Sequence, residues 1–256
     1  MDLQKIRRAS IITIPSLFTM GNIACGFFSI LSSFNGEYSR AGWLIFIAML
    51  FDAFDGRVAR MLKAESSFGV EMDSLADLIS FCTAPAFLIY FIALKEQFFG
   101  SAIAFIFMLF GAIRLAKFNV LANSGKGSKQ YFSGLPTPAA AAVIVSLALS
   151  YNILLLDGSG RALPLAKVYM PYIFSTISFL TIGLALLMVS TIPYAAFKSA
   201  PKNNNQRLIT LPKLFILVVF IVLFIKYPQD IVFIVFGLYA LIGLIIALVK
   251  KFIKLR

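Results

Sequence analysis

The sequence predicts an all-α integral membrane protein of eight transmembrane helices with both termini in the cytoplasm. Three observations carry this. Of the 256 residues 60% are apolar and 13% charged, too little polar surface for a soluble fold of this length. The chain divides into apolar runs, most of them close to the ~20 residues a helix needs to cross a ~30 Å hydrocarbon layer. Lys and Arg also fall unevenly between the two sides that such runs define.

Taken in order, the spans are 14–34, 41–61, 72–94, 101–122, 137–156, 168–192, 212–226 and 230–249, the seventh being short. The first follows Lys5, Arg7 and Arg8 as a secretory signal would, but it is too long for a signal core and lacks a small-residue cleavage site. It therefore reads as a retained span. The ten residues before it read equally well as a solvated basic tail or as an amphipathic segment lying on anionic lipid. Breaks fall at Asn35-Gly36, Gly100, residues 123–130, Gly158-Ser159-Gly160 and residues 201–206. With eight spans, 18 of the 23 basic residues share the side of the N-terminus, and the other side holds Arg40, Lys95, Arg161, Lys167 and Lys226. The bias places that majority side in the cytoplasm and accounts for the net charge of +12 without nucleic acid as a partner.

Histidine is absent, so carboxylates are the leading candidates for proton transfer. Cys25 and Cys82 lie in apolar runs without metal-site spacing and read as packing residues. Six of the 11 acidic residues, Asp52, Asp55, Glu65, Glu71, Asp73 and Asp77, fall within 26 residues at the end of span 2, the loop and the start of span 3. An Asp at the middle of a membrane helix costs about 2.5–3.5 kcal/mol, so folding alone does not favour several together. Chemistry should be their reason.

At 100° per residue, Asp52 and Asp55 lie about 60° apart on one helix, and Asp73 and Asp77 about 40° apart on the next. Antiparallel packing lets the two acidic faces meet. Four converging carboxylates need cations, and hard divalent ions, Mg²⁺ or Mn²⁺, match that ligand set, two of them balancing the charge. Gly56 and Ala59 remove bulk beside the carboxylates, where a ligand can approach the backbone. Arg60 shares a helix side with Asp52 and Gly56 and can reach a phosphate, whereas Lys63 reads as an anchor.

As one string, Asp52-x2-Asp55-Gly56-x2-Ala59-Arg60-x8-Gly69-x3-Asp73-x3-Asp77 resembles the full signature of the CDP-alcohol phosphatidyltransferase superfamily. Residues 15–26 with Asn22, the segment Arg114-Leu115-Ala116-Lys117-Phe118-Asn119, and Gly134-Leu135-Pro136-Thr137-Pro138-Ala139 resemble its integral-membrane phosphatidylserine synthase branch. The likeness spans roughly residues 10–195. It implies a catalytic domain of six spans over 1–195, with 196–256 as two additional C-terminal helices.

The reaction implied is transfer of the phosphatidyl group from CDP-diacylglycerol to L-serine, releasing CMP. The resemblance assigns Asp52, Asp55, Asp73 and Asp77 to two metal ions and makes Asp77 also the proton acceptor. It sets Asn22, Asp52, Gly56, Ala59, Arg60, Ser66 and Gly69 around CDP-diacylglycerol and implies a homodimer in the cytoplasmic membrane, its active site facing the cytoplasm. Where that branch usually has a second Arg, this chain has Lys117, which keeps charge but loses a bidentate grip.

Serine needs a cation for its carboxylate. Arg114 and Lys117, three residues apart at the end of span 4, are candidates, with positive-inside anchoring as the equal alternative. Transfer to glycerol 3-phosphate, inositol phosphate or choline is the nearest competing function. An intramembrane prenyltransferase or a cation transporter also places carboxylates in membrane helices, but neither calls for Gly56, Arg60 and Gly69 at these offsets.

Overall fold

The computed structural model describes residues 3–62, 67–123, 131–152, 168–169, 172–173, 175–195, 223 and 226–254. These form helical rods that alternate in direction, plus one short ribbon. Helix α1 (Leu3–Phe34) starts ahead of the expected span and runs through Pro15 and Gly21. Asn35-Gly36 ends it: Gly36 adopts φ +80°, its N–H meets Ser33 O at 3.2 Å and that of Glu37 meets Ser32 O at 2.8 Å. This pairing consumes carbonyls that the helix end leaves open and reverses the chain into α2 (Tyr38–Leu62).

The third rod is one continuous path of α3 (Ser67–Asp77), a π-helical segment Leu78–Thr83, α4 (Ala84–Ile89) and a second π-helical segment Tyr90–Leu94. Pro85 has no N–H to give, and its ring crowds the preceding turn. Just before it the helix widens, with the Ala84 N–H reaching back to Ile79 O and the Thr83 hydroxyl donating to Leu78 O at 2.9 Å. The remaining helices are α5 (Gly100–Asn123), α6 (Thr137–Tyr151), α7 (Ile177–Val189) and α8 (Pro228–Lys254).

Helix α6 is the axis of the bundle. Its residues from Thr137 to Ser150 are buried apart from Pro138, and its alanines let neighbours approach closely. Gly42 of α2 meets it where an added Cβ would lie 2.7 Å from Leu149. Outward faces are apolar instead, as Phe27, Ile47, Phe105, Phe179 and Leu241 show. That inversion suits a lipid surround.

Among the described residues four helices are long and apolar enough to cross a membrane, within Leu17–Phe34, Phe68–Leu94, Gly100–Leu121 and Pro228–Ile246. Helix α2, at 25 residues, has the length but carries at least three charges in every 18-residue window, because Arg40, Asp52, Asp55 and Arg57 belong to it. α6 and α7 are shorter apolar helices. The expected span 212–226 lies outside the described residues except for Leu223 and Lys226.

One short ribbon joins the otherwise all-helical fold. Strand β1 (Tyr131–Ser133) pairs antiparallel with β2 (Pro193–Ala195), Phe132 opposite Tyr194. The following Gly134, at φ +82°, passes so close to the Met188 carbonyl that no side chain fits. Its N–H donates to Ile192 O and that of Leu135 to Leu187 O, both at 2.9 Å, so this turn caps α7. Two ends of the bundle result. Asn119 of α5 meets Ser74 of α3 at the near end, whereas Asn152 of α6 meets Ser39 of α2 at the far end.

Candidate active site

Near the first end, two helices present carboxylates to one another. Asp52 of α2 and Asp73 and Asp77 of α3 each offer one oxygen, all within 4.8 Å of one another. Oxygens across one Mg²⁺ coordination sphere stand about 4.2 Å apart, so this donor set fits a hard divalent ion. Asp55, only 7% exposed, stands slightly aside and accepts a hydrogen bond from the Thr19 hydroxyl of α1. Its charge still acts on Asp52 and Asp73.

Small residues set the closeness of this packing. An added Cβ on Gly26 of α1 would lie 3.0 Å from the Ser80 backbone, and the Ser80 hydroxyl donates to Asn22 O at 2.8 Å. On the other flank a Cβ on Gly111 of α5 would strike Cys82. The π-helical segment after Asp77 is thus gripped from both sides, which fixes where α3 points that carboxylate. Cys25 and Cys82 are free thiols, and Cys82 is buried in this contact.

Behind the carboxylates lies a group of unsatisfied polar atoms. Both amide atoms of Asn22, Oδ1 of Asp77 and Nε of Arg114 are buried without a hydrogen-bond partner. Asn22 is 0% exposed and sits beside Asp77, outside hydrogen-bond geometry. Each such atom costs about 1–3 kcal/mol, and folded proteins hold few of them. Their gathering around one carboxylate is what a polar ligand would satisfy.

Arg114 resolves differently from Lys117. It is 9% exposed, its Nη1 donates to Thr137 Oγ1 of α6 at 3.3 Å, and its charge acts on Asp77. Lys117 is exposed. The two therefore stand in different surroundings, Arg114 buried between helices and Lys117 exposed. Among the other candidates, Gly56 is exposed and Gly69 half-buried, Ala59 and Arg60 belong to the last turns of α2, and Ser66 lies outside the described residues.

Two participants escaped the sequence reading. Thr19 lies three residues before Asn22, about 60° away on the same helix side, so helical spacing could have found it. Thr137 stood inside the quoted Gly134–Ala139 segment without a role.

Comparison with known proteins agrees with this geometry. The CDP-alcohol phosphatidyltransferase profile matches residues 12–177, which contain every carboxylate just described. The chain belongs to the CDP-alcohol phosphatidyltransferase family. A protein of Helicobacter pylori (strain ATCC 700392 / 26695) named CDP-diacylglycerol--serine O-phosphatidyltransferase is 37% identical over 235 residues, 90% of this chain and 89% of that protein. A Bacillus subtilis (strain 168) protein of the same name is 35% identical over 194 residues, 75% of this chain and 96% of that one. The archaetidylserine synthase of Methanothermobacter thermautotrophicus is 36% identical over 189 residues, 72% of this chain and 70% of its own length. The protein is thus an integral membrane enzyme of this phosphatidyltransferase family, with an aspartate cluster able to hold metal.

Proposed function

We propose that this phosphatidyltransferase moves the phosphatidyl group of CDP-diacylglycerol to L-serine, giving phosphatidylserine and CMP. One observation carries the choice of acceptor: Asp77 and Arg114 face each other inside the bundle without forming an ion pair, and each keeps a buried atom without a partner. Serine has the complementary chemistry, a hydroxyl for Asp77 and a carboxylate for the guanidinium. The names of the relatives support the same acceptor.

Asp52, Asp55, Asp73 and Asp77 would hold two Mg²⁺ or Mn²⁺ ions, which when bound offset the charge on the diphosphate and on the departing CMP. Asp77 takes the proton of the serine hydroxyl as its oxygen bonds to the phosphorus bearing the diacylglycerol. The phosphoanhydride bond breaks, and CMP leaves with the electron pair. Asn22 beside Asp77, with Gly56, Ala59 and Arg60 of α2, Gly69 of α3 and Ser66 between them in sequence, holds the liponucleotide in this reading. Lys117, exposed near the same end, would act on approaching anions instead of gripping the carboxylate.

The topology supports eight spans with both termini in the cytoplasm. β2 closes at the near end and α8 begins at the far end beside Ser150, the parity that eight crossings require. The same charge bias supports a cytoplasmic membrane location with the site facing inward. A catalytic portion over 1–195 followed by two helices fits a family match that ends at residue 177. The resemblance likewise favours a homodimer.

The test is CMP release from CDP-diacylglycerol by purified protein with added Mn²⁺ or Mg²⁺. Release that depends on serine is expected. Release driven by glycerol 3-phosphate, inositol phosphate or choline instead would transfer the reading to that acceptor, and no release at all would return the carboxylates to a prenyltransferase or transporter.

A further inference from the structure

Helix α6 begins in the interior of the bundle. Thr137 is 0%, Ala139 3% and Ala140 0% exposed, so the backbone of its first turn is closed in. A helix leaves its first N–H groups without a partner, and a buried end needs something to receive them. Ser, Thr, Asp or Asn at the N-cap position usually supplies an acceptor. Here that position is Pro136, and no side chain bonds the first turn. The Pro136 carbonyl accepts the Ala140 N–H at 3.0 Å, and Pro138 has no N–H to offer. What the helix leaves open is the N–H of Thr137 and the N–H of Ala139.

The buried cation of the site meets this helix end. Arg114 Nη1 donates to Thr137 Oγ1 at 3.3 Å, while its Nε, also buried, has no partner. A helix N-terminus carries partial positive charge, so a cation is ordinarily favoured at the opposite end. A guanidinium and a helix N-terminus enclosed together repel until an anion stands between them. Asp77 does not fill that role, for its Oδ1 is itself without a partner and it faces Asp52 and Asp73. It is nevertheless a close neighbour. Asn119 of α5 donates to Ser74 of α3 at 2.9 Å, and Gly111 of α5 packs on Cys82, so Arg114 and Asp77 both lie between these contacts. Thr137 joins the second of them, its Cγ2 standing 3.8 Å from where a Cβ on Gly111 would sit.

We infer that the first turn of α6 is the other half of the acceptor's carboxylate site. One oxygen of the serine carboxylate takes the Arg114 Nε–H, and the other takes the N–H groups of Thr137 and Ala139. Thr137 Oγ1 holds the guanidinium in line with them. A helix N-terminus and a guanidinium both supply directed donors to an anion, and the carboxylate removes the repulsion between the two. Choline, which has no anionic group, gains nothing there. The inference rests on the reading of Arg114 as the serine-carboxylate cation and adds donors that no side chain provides.

The experiment measures steady-state kinetics of the full-length protein in detergent micelles with L-serine and with serinamide, which keeps the hydroxyl and amine but has a neutral amide for the carboxylate. Three proteins are compared with wild type: Thr137→Val, Arg114→Ala, and one carrying lactic acid at position 139, which puts an ester oxygen in place of the Ala139 N–H and keeps the methyl side chain. The ester should raise the serine KM about tenfold, as loss of one hydrogen bond to a charged group does. The KM values for serinamide and for CDP-diacylglycerol should stay within about twofold. Thr137→Val keeps the shape but frees the guanidinium, and should raise the serine KM about fivefold. An unchanged serine KM in the ester protein overturns the inference, and so does an equal rise for serine and serinamide. A rise in the CDP-diacylglycerol KM as large as that for serine would give the helix end to the diphosphate and overturn it too. If the ester protein turns over too slowly to assay, the rise in its thermal-unfolding midpoint on adding each substrate replaces KM. Loss of the serine rise alone supports the inference, and any other pattern overturns it. An unchanged serine KM in Arg114→Ala brings down the acceptor reading itself, whereas a defective Arg114→Ala beside a silent ester removes only the role of α6.

Discussion

Aspartates stand at both ends of this bundle, one buried at the far end and three half-buried at the near end, and they are treated in opposite ways. At the far end Asp230, 3% exposed, lies in the first turn of α8, where the helix N-terminus favours negative charge, and it accepts a hydrogen bond from Ser150 at 2.7 Å. Beside it Asn152 donates to Ser39 at 2.7 Å, tying α6 to α2. At the near end Asp52, Asp73 and Asp77 converge on one another, and the atoms around Asp77 go without partners. A carboxylate answered within the protein is a fastener, whereas carboxylates that face one another are unfinished until a cation arrives.

The largest effects should separate the two ends. Asp77→Asn should lower kcat by about 10³-fold or more while CDP-diacylglycerol binding largely survives, since an amide keeps the shape but cannot take a proton. Asp52→Asn should be as severe and weaken nucleotide binding too. Asp230→Asn, assayed in the same preparation, should leave kcat within about threefold. Equal losses at both ends would erase the distinction. Retained turnover in Asp77→Asn would remove that residue as the base.

Next in size is the cation. Arg114→Ala should raise the serine KM by about tenfold or more with little change for CDP-diacylglycerol, and Arg114→Lys should recover only part of it because the planar fork is lost. Equal effects on both substrates would make Arg114 a structural residue.

Smaller effects probe the supports. Thr19→Val removes the donor to Asp55 and should cost about three- to tenfold in kcat/KM, measured at saturating Mn²⁺. Ser150→Ala at the fastener should leave activity unchanged and destabilise by about 1 kcal/mol, read as a lower midpoint of thermal unfolding in detergent. A reversal, with activity lost in Ser150→Ala and stability lost in Thr19→Val, would exchange the roles of the two ends.

Much of this was legible in the sequence, because helical periodicity depends only on neighbours along the chain. The offsets among Asp52, Asp55, Asp73 and Asp77 fix their faces, and Asn35-Gly36 fixes the first reversal. Arg114 and Lys117 show the limit: angle along one helix cannot tell which of two neighbours a second helix will cover, and only the arrival of Thr137 decides it. The ribbon escaped for a related reason. Its strands are three residues each and owe their pairing to the way Gly134 caps a helix more than fifty residues later in the chain.

The most direct test of the central claim is Mn²⁺ uptake by the purified protein, followed by electron paramagnetic resonance as free Mn²⁺ is titrated in. Wild type and Asp230→Asn should bind the ion alike, whereas Asp52→Asn and Asp73→Asn should lose most of that binding. Unchanged binding in the latter two would show that the converging carboxylates of α2 and α3 are not where the metal sits.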